Sequence, residues 1–189
     1  MQAKSDEQLM AAAMTGDQMA LAALVTRHHS PLFGYLYRLV NGDRQLAEDL
    51  VQETLLHVLH EPRYLPGRPF KPWLYTIATN LTRDHFKSAA VRHRGYSGDE
   101  EHALQYLMDR APGPEERALA AEQGGEVQAA FTELGEEYRV VVLLRFYQGF
   151  SLQEIADTLK IPLGTVKSRL SVGVHRLRSL LAPVREGVD

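Results

Sequence analysis

The sequence predicts an all-α protein of two small helical domains joined by a flexible linker, the C-terminal one a helix-turn-helix domain. Three observations carry this expectation. Apolar residues recur at helical spacing along most of the chain, and no run of alternating β-branched residues suggests a strand. The periodicity dissolves from Val91 to Gly125, where Gly95, Ser97, Gly98, Asp99, Pro112, Gly113, Pro114 and the pair Gly124-Gly125 punctuate the chain. It returns beyond Gly125 and includes two short helical patterns joined by a tight turn. The expected division is residues 1–90, a linker over 91–125, and residues 126–184. Glu101–Met108 and Glu115–Glu122 are expected as short helical pieces within the linker.

Each N-terminal element has its own signals. Ser5 and Gln8 have capping-box spacing, and Gly16 can end a short first helix. Asp17 caps a second, whose apolar side holds Leu21, Leu24, Val25, Leu32, Tyr35, Leu36 and Leu39; Pro31 is expected to kink or split it. After the Asn41-Gly42-Asp43 turn, Arg44 to His60 forms a third helix. Its inward stripe is Leu46, Ala47, Leu50, Val51, Thr54 and Val58, with Glu48, Asp49, Gln52 and Glu53 on the other face. Glu61-Pro62 stops it, and the prolines of Arg63–Pro69 require a loop. A fourth helix starts near Lys71-Pro72 and ends around Ala90, with Trp73, Leu74, Ile77, Ala78, Leu81 and Phe86 as core residues. Past the linker, Val127, Ala130, Phe131 and Leu134 mark one helix, and Arg139 to Tyr147 a very apolar second.

Composition excludes several classes. The chain of 189 residues is 44% hydrophobic and 24% charged, as a globular protein is. With no cysteine it has no disulfide, thiolate nucleophile or Cys-ligated metal. No apolar run is long enough to span a bilayer, and the polar N-terminus does not suit a signal peptide, so a cytoplasmic location is expected. The net charge of −3 conceals an asymmetry. Thr158 to Arg185 carries Lys160, Lys167, Arg169, Arg176, Arg178 and Arg185 with no acid, whereas Glu115 to Glu137 is rich in glutamate. Charge alone fits either a phosphate-binding face or an ordinary solvated one.

The tight turn separates these alternatives. Ser151 and Glu154 form a capping box, and Leu152, Ile155, Ala156 and Leu159 lie on one side of a short helix. Lys160-Ile161-Pro162-Leu163-Gly164 makes a turn, and a second helix from Thr165 turns Val166, Leu170, Val174, Leu177 and Leu181 inward. Two short helices so joined form the motif whose second member enters the DNA major groove. Its outward residues are Thr165, Lys167, Ser168, Ser171, Val172 and His175. Lysine and serine can meet base edges or phosphate. Arg169, Arg176 and Arg178 are placed to track phosphates.

The segment from Phe150 to Leu170 resembles the fourth region of the extracytoplasmic-function sigma factors. Ala47-Glu48-Asp49-Leu50-Val51-Gln52-Glu53-Thr54 is similar to their polymerase-binding second region, and Pro72 to Leu81 resembles the helix they use at the minus-ten element. Three matches in the family's order cover most of the chain. The resemblance implies a non-enzymatic initiation factor without cofactor or metal. It implies that Asp49, Gln52 and Glu53 dock on the clamp helices of the polymerase largest subunit, with the flap as a further contact. Around the minus-ten element it implies Tyr64 stacking on a base, Arg68 at phosphate and Asn80 at a base edge, with Arg83, Asp84 and Lys87 continuing outward. The upstream element would fall to Thr165, Lys167, Ser168, Arg169, Ser171, Val172, His175 and Arg176. Promoter DNA and an anti-sigma factor are the further implied partners. One departure stands out: many relatives carry a basic or large side chain where this chain has Ser171-Val172-Gly173-Val174. Val172 can touch a thymine methyl but cannot read guanine, and Gly173 weakens the helix by about 1 kcal/mol relative to alanine.

Two other classes compete. His57 and His60 are spaced to share a metal, but no third ligand, phosphate loop or nucleophile elbow accompanies them. A stand-alone DNA-binding regulator would share the helix-turn-helix but has no use for an exposed Asp49–Glu53 face.

Overall fold

The computed structural model describes residues 4–60, 64–65, 67–93 and 127–181, and every regular element among them is helical. The two short helical pieces expected in the linker, and Arg63 of the loop, lie outside the described residues. Helix α1 (Asp6–Met14) has the expected capping box: the Ser5 and Gln8 amides each donate to the other residue's side chain, at 3.0 and 3.3 Å. Asp17 accepts from the Met19 and Ala20 amides at the start of α2 (Gln18–Leu39). That helix runs unbroken through Pro31, so the expected split does not occur. The pyrrolidine ring is exposed, while Leu32, Tyr35 and Leu36 beside it are buried and hold the helical course.

Helix α3 (Arg44–His60) buries Ala47, Leu50, Val51, Thr54 and Val58, the inward stripe expected apart from the half-buried Leu46. Helix α4 (Phe70–His93) extends beyond Ala90. Its first amide is capped from far away in sequence, the Phe70 N–H donating to Glu7 Oε1 at 3.1 Å. Asp6, one residue earlier, accepts from Arg27 and His28 of α2. The first turn of α1 therefore ties α2 to the start of α4.

In the C-terminal half, the helix at 127–133 (α5) precedes α6 (Glu136–Val142), which continues as a π-helical turn, Leu143–Tyr147. Sequence periodicity predicts one uniform helix there. The wider turn shifts the register, so Leu143 and Leu144 are buried while Phe146 stands 63% exposed. Helices α7 (Leu152–Leu159) and α8 (Leu163–Leu181) complete the chain.

The halves are not held apart. Helix α7 packs across α4, and α6 with its π-turn packs on α2, so the buried residues of both halves form one cluster. Aromatic edges contribute: Tyr75 of α4 meets Tyr35 at 5.0 Å and Phe150 at 5.5 Å between ring centroids.

His28 is buried against the Phe70 ring, and its Nε2 donates to the Asp6 carboxylate at 2.8 Å. Burial holds its pKa below the usual 6.5, outweighing the pull of Asp6. The unfolded chain therefore binds the proton more readily, and stability is lost as pH falls through the folded pKa. The midpoint of chemical denaturation should drop as pH falls below 6.5, and His28→Gln should flatten that drop.

Candidate partner and nucleic-acid interface

Three surfaces carry the residues singled out from the sequence. On α3, Asp49, Gln52 and Glu53 are all exposed, because the alternate face is spent on the core. Gln45 Nε2 donates to Asp49 Oδ1 at 3.1 Å, and Arg44 pairs with Glu48 one turn away at 2.9 Å. Beside this face runs a groove of about 280 Å³ lined by Phe33, Arg44, Glu48, Val51 and Gln52 among others. The exposed carboxylates of Asp49 and Glu53 on this face suit a basic partner.

The second surface is the outward side of α4. Asn80, Asp84 and Lys87 are exposed, opposite the buried Trp73, Leu74, Tyr75 and Ala78. Thr79 and Thr82 turn their hydroxyls back to the Tyr75 and Ala78 carbonyls, which keeps these polar groups satisfied inside. Arg83 is half-buried and lies 3.7 Å from Glu136 of α6. Arg68 is exposed in the preceding loop. Tyr64 is a correction: its ring is 3% exposed, wedged against Trp73 at 4.9 Å and Phe70 at 6.2 Å. Its hydroxyl donates to the Arg68 carbonyl, and burial pushes the phenol pKa up. A ring so placed fixes the loop to α4 and is not open to a base.

The third surface is α8. Its approach is set by the Ser151 capping box, with bonds of 2.7 and 3.2 Å, and by Lys160, which takes a left-handed φ of 55° to turn the chain. Helix α8 begins at Leu163 rather than Thr165, since the Thr165 and Val166 amides already donate to Pro162 O. Lys167, Ser168, Ser171, Val172, His175 and Arg176 are exposed, and Thr165 is half-buried. Ser168 donates to Thr165 O at 3.0 Å. Two expected phosphate contacts are engaged elsewhere. Arg169 pairs with Glu137 at 3.2 Å, and Arg176 lies over the Tyr138 ring at 4.6 Å, both bracing α8 on α6.

Gly173 also belongs to that brace. It is buried, and a Cβ there would meet Val142 Cγ2 at 2.8 Å and Tyr138 Cβ at 3.3 Å. The glycine is therefore a close-approach point on the inner face, and only Ser171 and Val172 of the unusual quartet lie on the exposed face.

Sequence reasoning missed Lys71 and Gln148. Lys71 Nζ donates to the Gln148 carbonyl at 2.6 Å, and the Tyr75 hydroxyl donates to Gln148 Oε1 at 2.6 Å. These partners are 77 and 73 residues apart, and no local pattern announces such a meeting.

Comparison with known proteins gives a consistent result. The family model for sigma-70 region 2 matches residues 24–92, and that for sigma-70 region 4 matches residues 124–177. The ECF RNA polymerase sigma factor SigE of Mycolicibacterium smegmatis is 39% identical over 176 residues, which cover 89% of this chain and 65% of that protein. SigL of Mycobacterium tuberculosis, likewise an ECF RNA polymerase sigma factor, is 36% identical over 89% of this chain and 93% of its own length. Among solved structures, CnrH in complex with the cytosolic domain of CnrY superposes with a TM-score of 0.66 at 24% identity, over 94% of this chain and 97% of that one. The sigma factor RpoE in complex with the anti-sigma factor NepR from Bartonella quintana gives 0.60 at 25% identity, over 82% and 91%.

The buried position of Gly173 has a measurable consequence. Gly173→Ala gains helix propensity but forces a methyl into stiff neighbours, and the overpacking should win by about 1 kcal/mol. Thermal unfolding should show a lower Tm for the variant; an increase would refute the close-approach role.

Proposed function

The chain belongs to the extracytoplasmic-function sigma factors of the sigma-70 family, and from that membership we propose that it directs core RNA polymerase to specific promoters and promotes their opening. The observation that carries this is the pairing of a region 2 match with a region 4 match in one chain, in that order. The action is binding and DNA deformation, with no covalent chemistry. The two matches, over 24–92 and 124–177, support a division into residues 1–90, a linker over 91–125, and 126–184.

In this reading the exposed α3 face, Asp49, Gln52 and Glu53, meets the clamp helices of the largest polymerase subunit. Fixed carboxylates there attract a basic helix during encounter and bond it on docking. The outward side of α4, with Asn80, Arg83, Asp84 and Lys87, and the adjacent Arg68, holds the opened minus-ten strand. Cations follow its phosphates while the amide of Asn80 can reach a base edge. Helix α8 enters the major groove of the upstream element and presents Lys167, Ser168, Ser171 and Val172 to it, with His175 further along. The flap of the polymerase and an anti-sigma factor are the remaining partners. Among the described residues no helix is long and apolar enough to cross a membrane; a role at promoters supports a cytoplasmic location.

Two measurements test the assignment. Gln52→Ala/Glu53→Ala should weaken binding to purified core polymerase at least tenfold while leaving the circular dichroism spectrum unchanged, since both side chains are exposed. Wild-type affinity in that variant would remove α3 from the polymerase interface. Separately, Lys167→Ala should reduce the slope of log affinity against log salt for promoter DNA by about 1, as loss of one phosphate contact does. An unchanged slope would take Lys167 off the phosphate backbone.

A further inference from the structure

Both acids in the first turn of α1 converge on one residue of α4. Glu7 accepts the Phe70 amide at 3.1 Å, and Asp6 holds His28, whose ring lies 5.1 Å from the Phe70 ring between centroids. Phe70 in turn meets Tyr64 at 6.2 Å and Trp73 at 5.8 Å, and the Tyr64 hydroxyl donates to the Arg68 carbonyl. The path from Glu7 to Arg68 therefore runs through two buried rings, Phe70 at 2% exposure and Tyr64 at 3%. The amides of Glu7 itself and of Phe70 hold the Glu7 carboxyl below the usual carboxylate range, so the cap is charged at neutral pH. Burial, and after it the Glu7 charge, pushes the Tyr64 phenol pKa up, which marks the two groups as neighbours. The sigma-70 region 2 match begins at residue 24, inside α2, and leaves α1 without a part in the assigned function.

We propose that Glu7 is a positioning residue for strand capture: by capping α4 at Phe70 it seats the Tyr64 ring, and with it the Arg68 backbone, so that Arg68 is presented to the opened strand. The proposal rests on the reading of Arg68 and α4 as the strand-holding surface. The first amides of a helix have no partner within it, so a carboxylate there satisfies a donor and meets the positive end of the macrodipole. Seen from Arg68, the cap lies two residues ahead, and behind it the Arg68 amide closes a turn on Leu65 O at 3.0 Å. Arg68 is thus tethered on both sides while its side chain stays exposed. A backbone left loose would have to be ordered as the strand arrives, and that loss of entropy subtracts from affinity. Ordering it beforehand, from a helix that touches no DNA, removes the loss.

Trp73 makes the test direct. It is the one tryptophan of the chain, and its ring lies 4.9 Å from that of Tyr64, so its fluorescence reports the seat. In the full chain, Glu7→Ala should increase acrylamide quenching of Trp73, and Glu7→Gln, which keeps an accepting oxygen, should return it close to the parental value. Gln8→Ala weakens the α1 capping box without touching Phe70 and should leave the quenching parental. Each chain is then assembled with core polymerase on a duplex promoter that the parent holoenzyme has selected from randomised DNA, and opening is read by permanganate reactivity of unpaired thymines. Glu7→Ala should lower the ratio of open to closed complexes about fivefold, as loss of one helix cap does, with affinity for polymerase unchanged and glutamine restoring most of the ratio. Parental opening in Glu7→Ala overturns the proposal. So does a loss of opening that Gln8→Ala reproduces, or one that leaves Trp73 quenching unchanged. Arg68→Ala/Asn80→Ala separates the two levels. If it lowers opening while Glu7→Ala does not, the role of Glu7 alone falls. If it leaves opening unchanged, the reading of Arg68 and α4 falls and the proposal with it.

Discussion

Arg139 carries a permanent charge at 1% exposure, and its guanidinium reaches four backbone carbonyls. Nε donates to Phe131 O at 2.7 Å, Nη2 to Thr132 O and Leu134 O at 3.1 and 2.6 Å, and Nη1 to Leu39 O at 3.0 Å. These oxygens lie at the ends of α5 and α2, where helical carbonyls have no partner within their own helix. A cation placed between two helix C-termini also meets the negative ends of both macrodipoles. The planar fork can address several acceptors at once, which an ammonium in the same place could not do so directionally. The bond to Leu39 crosses from one half of the chain to the other. The seating of α6 and its π-turn against α2, and of α7 against α4, follows from that join.

The join explains why the molecule buries polar groups where a simpler helical domain would bury only hydrocarbon. Gln148, Tyr75, Thr79 and Arg139 are all at or near the meeting of the halves, and each has hydrogen-bond partners. Apolar contact between two amphipathic surfaces is tolerant of sliding, whereas paired donors and acceptors are not. The polar groups thus set one register between surfaces that hydrophobic burial merely brings together.

The functional surfaces differ in how legible they were. The α3 face was readable because helical periodicity assigns Ala47, Leu50, Val51 and Thr54 inward and leaves Asp49, Gln52 and Glu53 no place but solvent. The helix-turn-helix was readable because a capping box, a proline-containing turn and an apolar stripe are all local signals. Tyr64 is not legible in sequence, since an aromatic in a proline-rich loop has no periodicity, and only the approach of Trp73 and Phe70 shows that it is buried. Charge alone directs Arg169 and Arg176 to phosphate, whereas the groups that hold them, Glu137 and the Tyr138 ring, lie on another helix. Gly173 reads in sequence as a weak point of α8, and only the approach of Val142 and Tyr138 makes it a close-packing point.

By itself, then, the sequence determined the helical class, the order of the elements, the caps at Ser5, Asp17 and Ser151, and most of the inward faces, Leu181 being an exception at 38% exposed. Capping and periodicity act over one to four residues, so they are written in neighbouring positions. The tertiary structure alone decided that the two halves close on one another, that Lys71, Gln148 and Arg139 become the joints, and that Phe146 points outward. The closure and its joints depend on groups 73 to 100 residues apart meeting at hydrogen-bond distance. Distances of that kind are set by the packing of whole helices, and no local pattern of residues encodes them.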